Sequence, residues 1–196
     1  MNRRPLKTRS KQWATVLASA IAKTGLRPNQ ISVIGIFISL LGSGVMFVSG
    51  RWFLLAALMV QLRLLCNMLD GLIAIEHDKK SVLGDLFNEV PDRIEDSLFL
   101  VGAGYASGII WLGWMAALLS VSTAYLRLLG GSLGFDQDFC GPMAKQHRMF
   151  VLTLSLIIAA FVPEALVVGL GVIVVGTVLT VVRRLHRLVR QMEASA

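Results

Sequence analysis

The sequence predicts an all-α integral membrane protein, with six transmembrane helices preceded by an N-terminal amphipathic juxtamembrane helix. Three observations lead there. Of 196 residues, 55% are hydrophobic and 16% charged, with a mean hydropathy of +0.69, whereas a soluble domain carries roughly a quarter of charged residues. The apolar residues gather into segments suited to crossing roughly 30 Å of hydrocarbon. The basic residues behind the net charge of +7 sit at the edges of those segments without aromatic interleaving. That is the pattern of cytoplasmic loops, not of a stripe that tracks phosphates, so nucleic acid is not an expected partner. Cys66 and Cys140 lack CxxC spacing and read as small apolar residues.

Residues 1–11 carry Arg3, Arg4, Lys7, Arg9 and Lys11 with no apolar run directly behind them. This is a basic cytoplasmic arm rather than a cleavable signal. Trp13, Val16, Leu17, Ala20 and Ile21 then follow the i, i+3, i+4, i+7, i+8 pattern of a helix with one oily face, and Gly25 is placed to end it. Such a helix lies in the headgroup layer or packs on the cytoplasmic end of its own protein; the pattern permits both. Pro28 breaks continuity, Asn29 is available as an N-cap, and residues 31–49 run 19 positions without a charge. Gly42 and Gly44 offer close approach to a neighbouring helix. The arm and amphipathic helix (1–30), the membrane domain (31–183) and a basic tail (184–196) make up the expected organisation.

The second span, residues 52–75, places Arg63, Asn67 and Asp70 on one helical face, with Gln61 apart from it. After a polar hairpin containing His77, Lys79 and Lys80, a third span from Gly84 carries Asn88, Asp92 and Asp96, with Glu95 beside them. At about 1.5 Å per residue from the hairpin, Asp70 and Asp92 both lie about ten ångströms deep, and Arg63 and Asp96 about 20 Å deep. An unpaired arginine at that depth is hard to tolerate, so Arg63 is expected to pair with Asp96 or Glu95.

The fourth, fifth and sixth spans are residues 109–129, 149–162 and 165–182. The arm, the hairpin lysines, residues 145–148 and the C-terminal arginines fall on one side, against only Arg51 and Glu164 on the other. Both termini and the polar site are therefore expected on the cytoplasmic face of the cell (inner) membrane. His77, His147 and His186 share no spacing, and the methionines and tryptophans read as packing or lipid-facing residues.

Carboxylates and amides at a cytoplasmic membrane face suit a hard divalent cation together with a lipid pyrophosphate. Asn67, Asp70, Gly71 and Ala74, then Gly84, Asn88 and Asp92, stand in the register of D-x-x-D-G-x-x-A-R, eight residues, G-x-x-x-D-x-x-x-D. The sequence thereby resembles the CDP-alcohol phosphotransferases (CDP-alcohol phosphatidyltransferases), and the likeness extends to the span layout and the Arg-Pro-Asn before the first span. It implies transfer of a substituted phosphate from CDP-diacylglycerol or another CDP-alcohol to an acceptor alcohol, with release of CMP, in phospholipid biosynthesis. Mg²⁺ or Mn²⁺ would be the cofactor and the bilayer the setting, in a homodimer. By position, Asn67, Asp70, Asn88 and Asp92 would hold metal, Asp92 would act as the base, and Gly71, Ala74 and Gly84 would leave room for nucleotide.

The chain departs from the motif at three positions: Asn67 and Asn88 replace aspartates, and Ile75 replaces the arginine. An amide offers a carbonyl oxygen to a cation but no charge, so metal is expected to be held more weakly. Glu89 and Asp85 lie close enough in sequence to compensate. Arg127, Lys145 and Arg148 are candidates for a phosphate, with interfacial snorkelling as the simpler role. Asp92 also has a purely structural reading as a partner of Arg93 or Arg63. A catalytically silent relative that binds lipid or a partner subunit is the alternative function, and a small transporter a weaker one.

Overall fold

A computed structural model describes residues 12–76 and 83–195, so the basic arm and the hairpin with His77, Lys79 and Lys80 lie outside the described residues. The described residues form seven helices: α1 Gln12–Lys23, α2 Pro28–Met46, α3 Trp52–Glu76, α4 Gly84–Ala106, α5 Ile110–Ser132, α6 Lys145–Ala159 and α7 Glu164–Ser195. Four of them, α2, α3, α5 and α7, are long and apolar enough to cross a membrane. Helix α4 has the length but carries charges through its first half. Helix α6, at 15 residues, rises only about 22 Å.

Packing closes the last six helices into a ring: α3 on α2, α2 on α4, α4 on α5, α5 on α7, α7 on α6, and α6 back on α3. Large apolar side chains such as Phe37, Leu41, Trp111, Leu118 and Phe161 point outward, which suits a hydrocarbon solvent. Inside, Phe53, Phe99, Leu100, Met149, Leu152, Leu156 and Leu170 fill one end of the ring. The charged residues fill the other.

Three local expectations change. Helix α1 packs on α3 through Ala14 and Ala18, both fully buried, while Trp13 and Val16 are 49% and 68% exposed. Ala14 and Ala18 let the two helices approach closely, and Leu17 and Ile21 of the expected oily face pack half-buried beside them. Helix α2 starts at Pro28, with Arg27 rather than Asn29 at the N-cap. Proline suits the first helical position because its missing N–H would have no helical partner there, and the Gln30 Oε1 accepts the Arg27 N–H at 2.9 Å. Gly42 does face a crowded interface, where a Cβ would stand 2.6 Å from the Phe99 ring and 2.7 Å from Met59, but Gly44 faces open space. As expected, α1 ends before Gly25, which adopts φ +85°.

Helix α7 is continuous from Glu164 to Ser195, so the expected boundary at 183 falls inside a helix. Arg184 is buried and donates to the carbonyls of Thr123 at 2.6 Å and Cys140 at 2.9 Å, tying the tail to the loop before α6.

Candidate functional site: a buried charge network between helices 3 and 4

Arg63 sits at the centre of the ring with its side chain wholly buried. Its Nε donates to the Glu95 carboxylate, its Nη2 lies 2.7 Å from Asp96 Oδ1, and the same nitrogen donates to the Asp92 carbonyl at 3.2 Å and to Asp92 Oδ1 at 3.4 Å. The expected pairing with Asp96 or Glu95 holds with both, and Asp92 joins them. A guanidinium supplies the fixed fork of donors that three carboxylates on successive turns of α4 require. Helix α2 makes the room: Gly35 faces Glu95 so closely that a Cβ would run into Oε1. Pro91 lies inside α4 just before Asp92, so the Phe87 carbonyl loses its helical donor there.

The register between α3 and α4 keeps Arg63 level with Asp96, as the depth estimate has it, and sets Asn67 rather than Asp70 in direct contact with Asp92. The Asn67 Nδ2 donates to Asp92 Oδ1. Asp70 instead meets α2, where the Ser32 hydroxyl donates to Oδ2 at 2.7 Å. Its other oxygen, Oδ1, is buried without a hydrogen-bond partner. Ser32 gave no sign in the sequence, since a serine early in an apolar helix ordinarily bonds its own backbone.

The three basic candidates converge on the acids of α4. Lys145, the first residue of α6, places Nζ 2.5 Å from Asp92 Oδ2. Arg148 donates to Asp96 Oδ2 at 3.2 Å and to the Met143 carbonyl at 3.0 Å. Arg127 donates to Glu89 at 2.5 Å and Gln137 at 2.7 Å and lies over the Phe139 ring. None of the three is a snorkelling side chain. Glu89 is engaged by Arg127 and by Arg93, so it does not turn toward Asn88 to compensate for the missing charge. Asn88 is half-buried one turn before Asp92; Gly71 and Ala74 are buried behind Asp70; Gly84 is the first residue of α4. The side chains of Ile75 and Asp85 lie outside the description.

Across these ion pairs the carboxylates of Glu89, Asp92, Glu95 and Asp96 meet the basic side chains of Arg63, Arg93, Arg127, Lys145 and Arg148, while Asp70 stands outside them. Among the described residues no three His, Cys, Asp or Glu side chains gather as a metal cluster. The donor set is mixed, with the carboxylates Asp70 and Asp92 beside the amides Asn67 and Asn88. All are oxygen donors suited to a hard cation, and the Asp70 Oδ1 is a buried carboxyl oxygen without a hydrogen-bond partner. The residues fit a divalent cation.

Comparison with known proteins decides the family. The sequence profile of CDP-alcohol phosphatidyltransferase matches residues 26–182. The chain belongs to this family. Its relatives include the phosphatidylinositol phosphate synthase of Mycobacterium tuberculosis, 26% identical over 88% of this chain and 83% of the relative. The archaetidylinositol phosphate synthase of Pyrococcus horikoshii is 21% identical over 96% and 97%. Crystal structures of the M. tuberculosis enzyme share the fold. The form with CDP-diacylglycerol bound matches at TM-score 0.80 and 22% identity over 91% of this chain and 94% of that one. The form with manganese and citrate matches at 0.79 and 22% over 89% and 88%. The manganese in that relative agrees with the expected Mg²⁺ or Mn²⁺ of a CDP-alcohol phosphatidyltransferase. The α3–α4 face thus carries the family's motif positions inside the family's fold.

Proposed function

We propose that this chain is a membrane transferase that moves the phosphatidyl group of CDP-diacylglycerol, or the substituted phosphate of another CDP-alcohol, to an acceptor alcohol and releases CMP in phospholipid biosynthesis. The observation that carries the reading is Asp92: a buried carboxylate at the family's last motif position, held by Asn67, Arg63 and Lys145 within the matched segment. The relatives with phosphatidylinositol phosphate and archaetidylinositol phosphate in their names support an acceptor of the phosphorylated-polyol class, for which Arg127, Lys145 and Arg148 are the candidate cations.

In this reading Asp92 takes the proton of the acceptor hydroxyl. The acceptor oxygen forms a bond to the phosphorus that bears the diacylglycerol, and the bond from that phosphorus to the CMP oxygen breaks. Arg63 aims the Asp92 carboxylate through contacts to both its backbone and its side chain. Gly71, Ala74 and Gly84 leave the nucleotide space beside Asp70. A divalent cation held by Asn67, Asp70, Asn88 and Asp92 would neutralise pyrophosphate charge.

The wider arrangement proposed is a homodimer in the cell membrane, with residues 31–183 as six spans and the arm, tail and site cytoplasmic. Support comes from the end of the ring that holds Lys145 and the α7 arginines, against only Arg51 and Glu164 at the other end. A silent lipid-binding role draws its support only from the two asparagines and Ile75. The deciding experiment is CMP release from CDP-diacylglycerol by protein in lipid nanodiscs, with a panel of free and phosphorylated alcohols, with and without Mg²⁺ or Mn²⁺. Metal-dependent release that Asp92→Ala abolishes upholds the transferase. Binding of CDP-diacylglycerol without release on any acceptor would sink it.

A further inference from the structure

We propose that the Lys145 ammonium is a built-in cation on the Asp92 carboxylate that competes with a divalent metal for that oxygen. The inference rests on the reading of Asn67, Asp70, Asn88 and Asp92 as a cation cradle, and adds what a metal competes with there.

Three observations support it. First, Lys145 is the cation nearest to the outer oxygen of Asp92, 2.5 Å from Oδ2. It comes from α6, on the far side of α3 in the ring, so no helix-local spacing forces the contact. Second, the charge count leaves little attraction for an added cation. With amides at 67 and 88, the four carboxylates in these ion pairs already meet five basic side chains, and a dication would have to enter beside an ammonium. Third, the cations around α4 are not equally held. The Arg63 side chain is 0% exposed and that of Arg148 2%, each with several partners, whereas that of Lys145 is 20% exposed and rides a flexible four-carbon stem. Arg93 also lies 3.3 Å from Asp92 Oδ2 and is 25% exposed, but it is shared with Glu89 one turn away on its own helix, so Lys145 is the cation whose contact is with Asp92 alone. Once displaced, its ammonium is free at the mouth of the site to meet an anionic group of the substrate.

Mn²⁺ binding followed by electron paramagnetic resonance, on full-length protein in nanodiscs without substrate, reads this directly. Lys145→Met should bind Mn²⁺ at least about tenfold more tightly than the wild type, since it removes a like charge from contact with the cradle. Lys145→Arg, which keeps the charge, should stay close to wild type. Tighter binding cannot arise from unfolding, so a gain in the Met variant alone upholds the inference. Equal or weaker binding in Lys145→Met, with Mn²⁺ still bound by the wild type, overturns the lysine's role and leaves the cradle standing. Absence of Mn²⁺ binding in every variant, Asn67→Asp included, overturns both.

Discussion

The two aspartates of the motif occupy opposite circumstances. On the α4 side, Asp92 has both oxygens engaged, by Asn67 and Arg63 at one and by Lys145 and Arg93 at the other. On the α2 side, Asp70 has a single hydroxyl partner, Ser32, and an empty buried oxygen. A buried carboxyl oxygen without a hydrogen-bond partner is expensive and rarely left so for structural reasons. The contrast separates two tasks: the α4 side fixes a carboxylate in place, and the α2 side leaves one open to a ligand.

The largest effect expected from this contrast is on chemistry. Asp92→Asn preserves shape and loses the base, so CMP release should fall by about 10²–10⁴-fold, the usual worth of a positioned base. Turnover within tenfold of wild type would assign Asp92 to the ion network alone. Next comes the network that holds it. Arg63→Met removes the cation shared by Asp92, Glu95 and Asp96 and should cost about 3–5 kcal/mol of stability, because it leaves uncompensated buried charge. Denaturation in mixed micelles of sodium dodecyl sulfate measures this, and a loss under 1 kcal/mol would show that Arg148 and Lys145 suffice. On the α2 side, Ser32→Ala should weaken Mn²⁺ binding by about 10–100-fold while barely changing stability, as expected for a group that orients a ligand without being one. Equal losses of stability and affinity would mean that Ser32 is ordinary packing.

How far each side was legible in the sequence follows from the same contrast. The α4 side announced itself: charges at buried depth need partners, so the Arg63 pairings could be stated before any fold was known. The basic partners could not be placed. Arg127, Lys145 and Arg148 lie near predicted helix ends, where snorkelling is the usual role, and only the closed ring brings them to Glu89, Asp92 and Asp96. On the α2 side Ser32 carried no signal, because a hydroxyl in an apolar helix has a backbone carbonyl within reach by default. The α1 face was legible but its partner was not: the pattern left headgroups and protein both open, and the fold divides the face, with Trp13 and Val16 exposed and Leu17 and Ile21 packed beside the buried Ala14 and Ala18.

The smallest effect lies outside the site and isolates what one interhelical hydrogen bond contributes in this bundle. Gln61 stands apart from the Arg63 face and donates Nε2 to the Thr153 hydroxyl at 2.7 Å, linking α3 to α6 on their outer side. Such bonds average about 0.6 kcal/mol in membrane bundles, because the separated helices also find partners. The two ends of the bond are nevertheless unequal. Gln61→Leu replaces the amide with an apolar group and leaves the Thr153 hydroxyl its own carbonyl acceptor at Met149, so the change should lie within about 0.5 kcal/mol of neutral. Thr153→Val leaves the glutamine amide in hydrocarbon without its acceptor and should cost more, about 1 kcal/mol. If the two substitutions cost the same, the Gln61 amide is finding water, and this outer face of α3 and α6 is not against lipid at that depth.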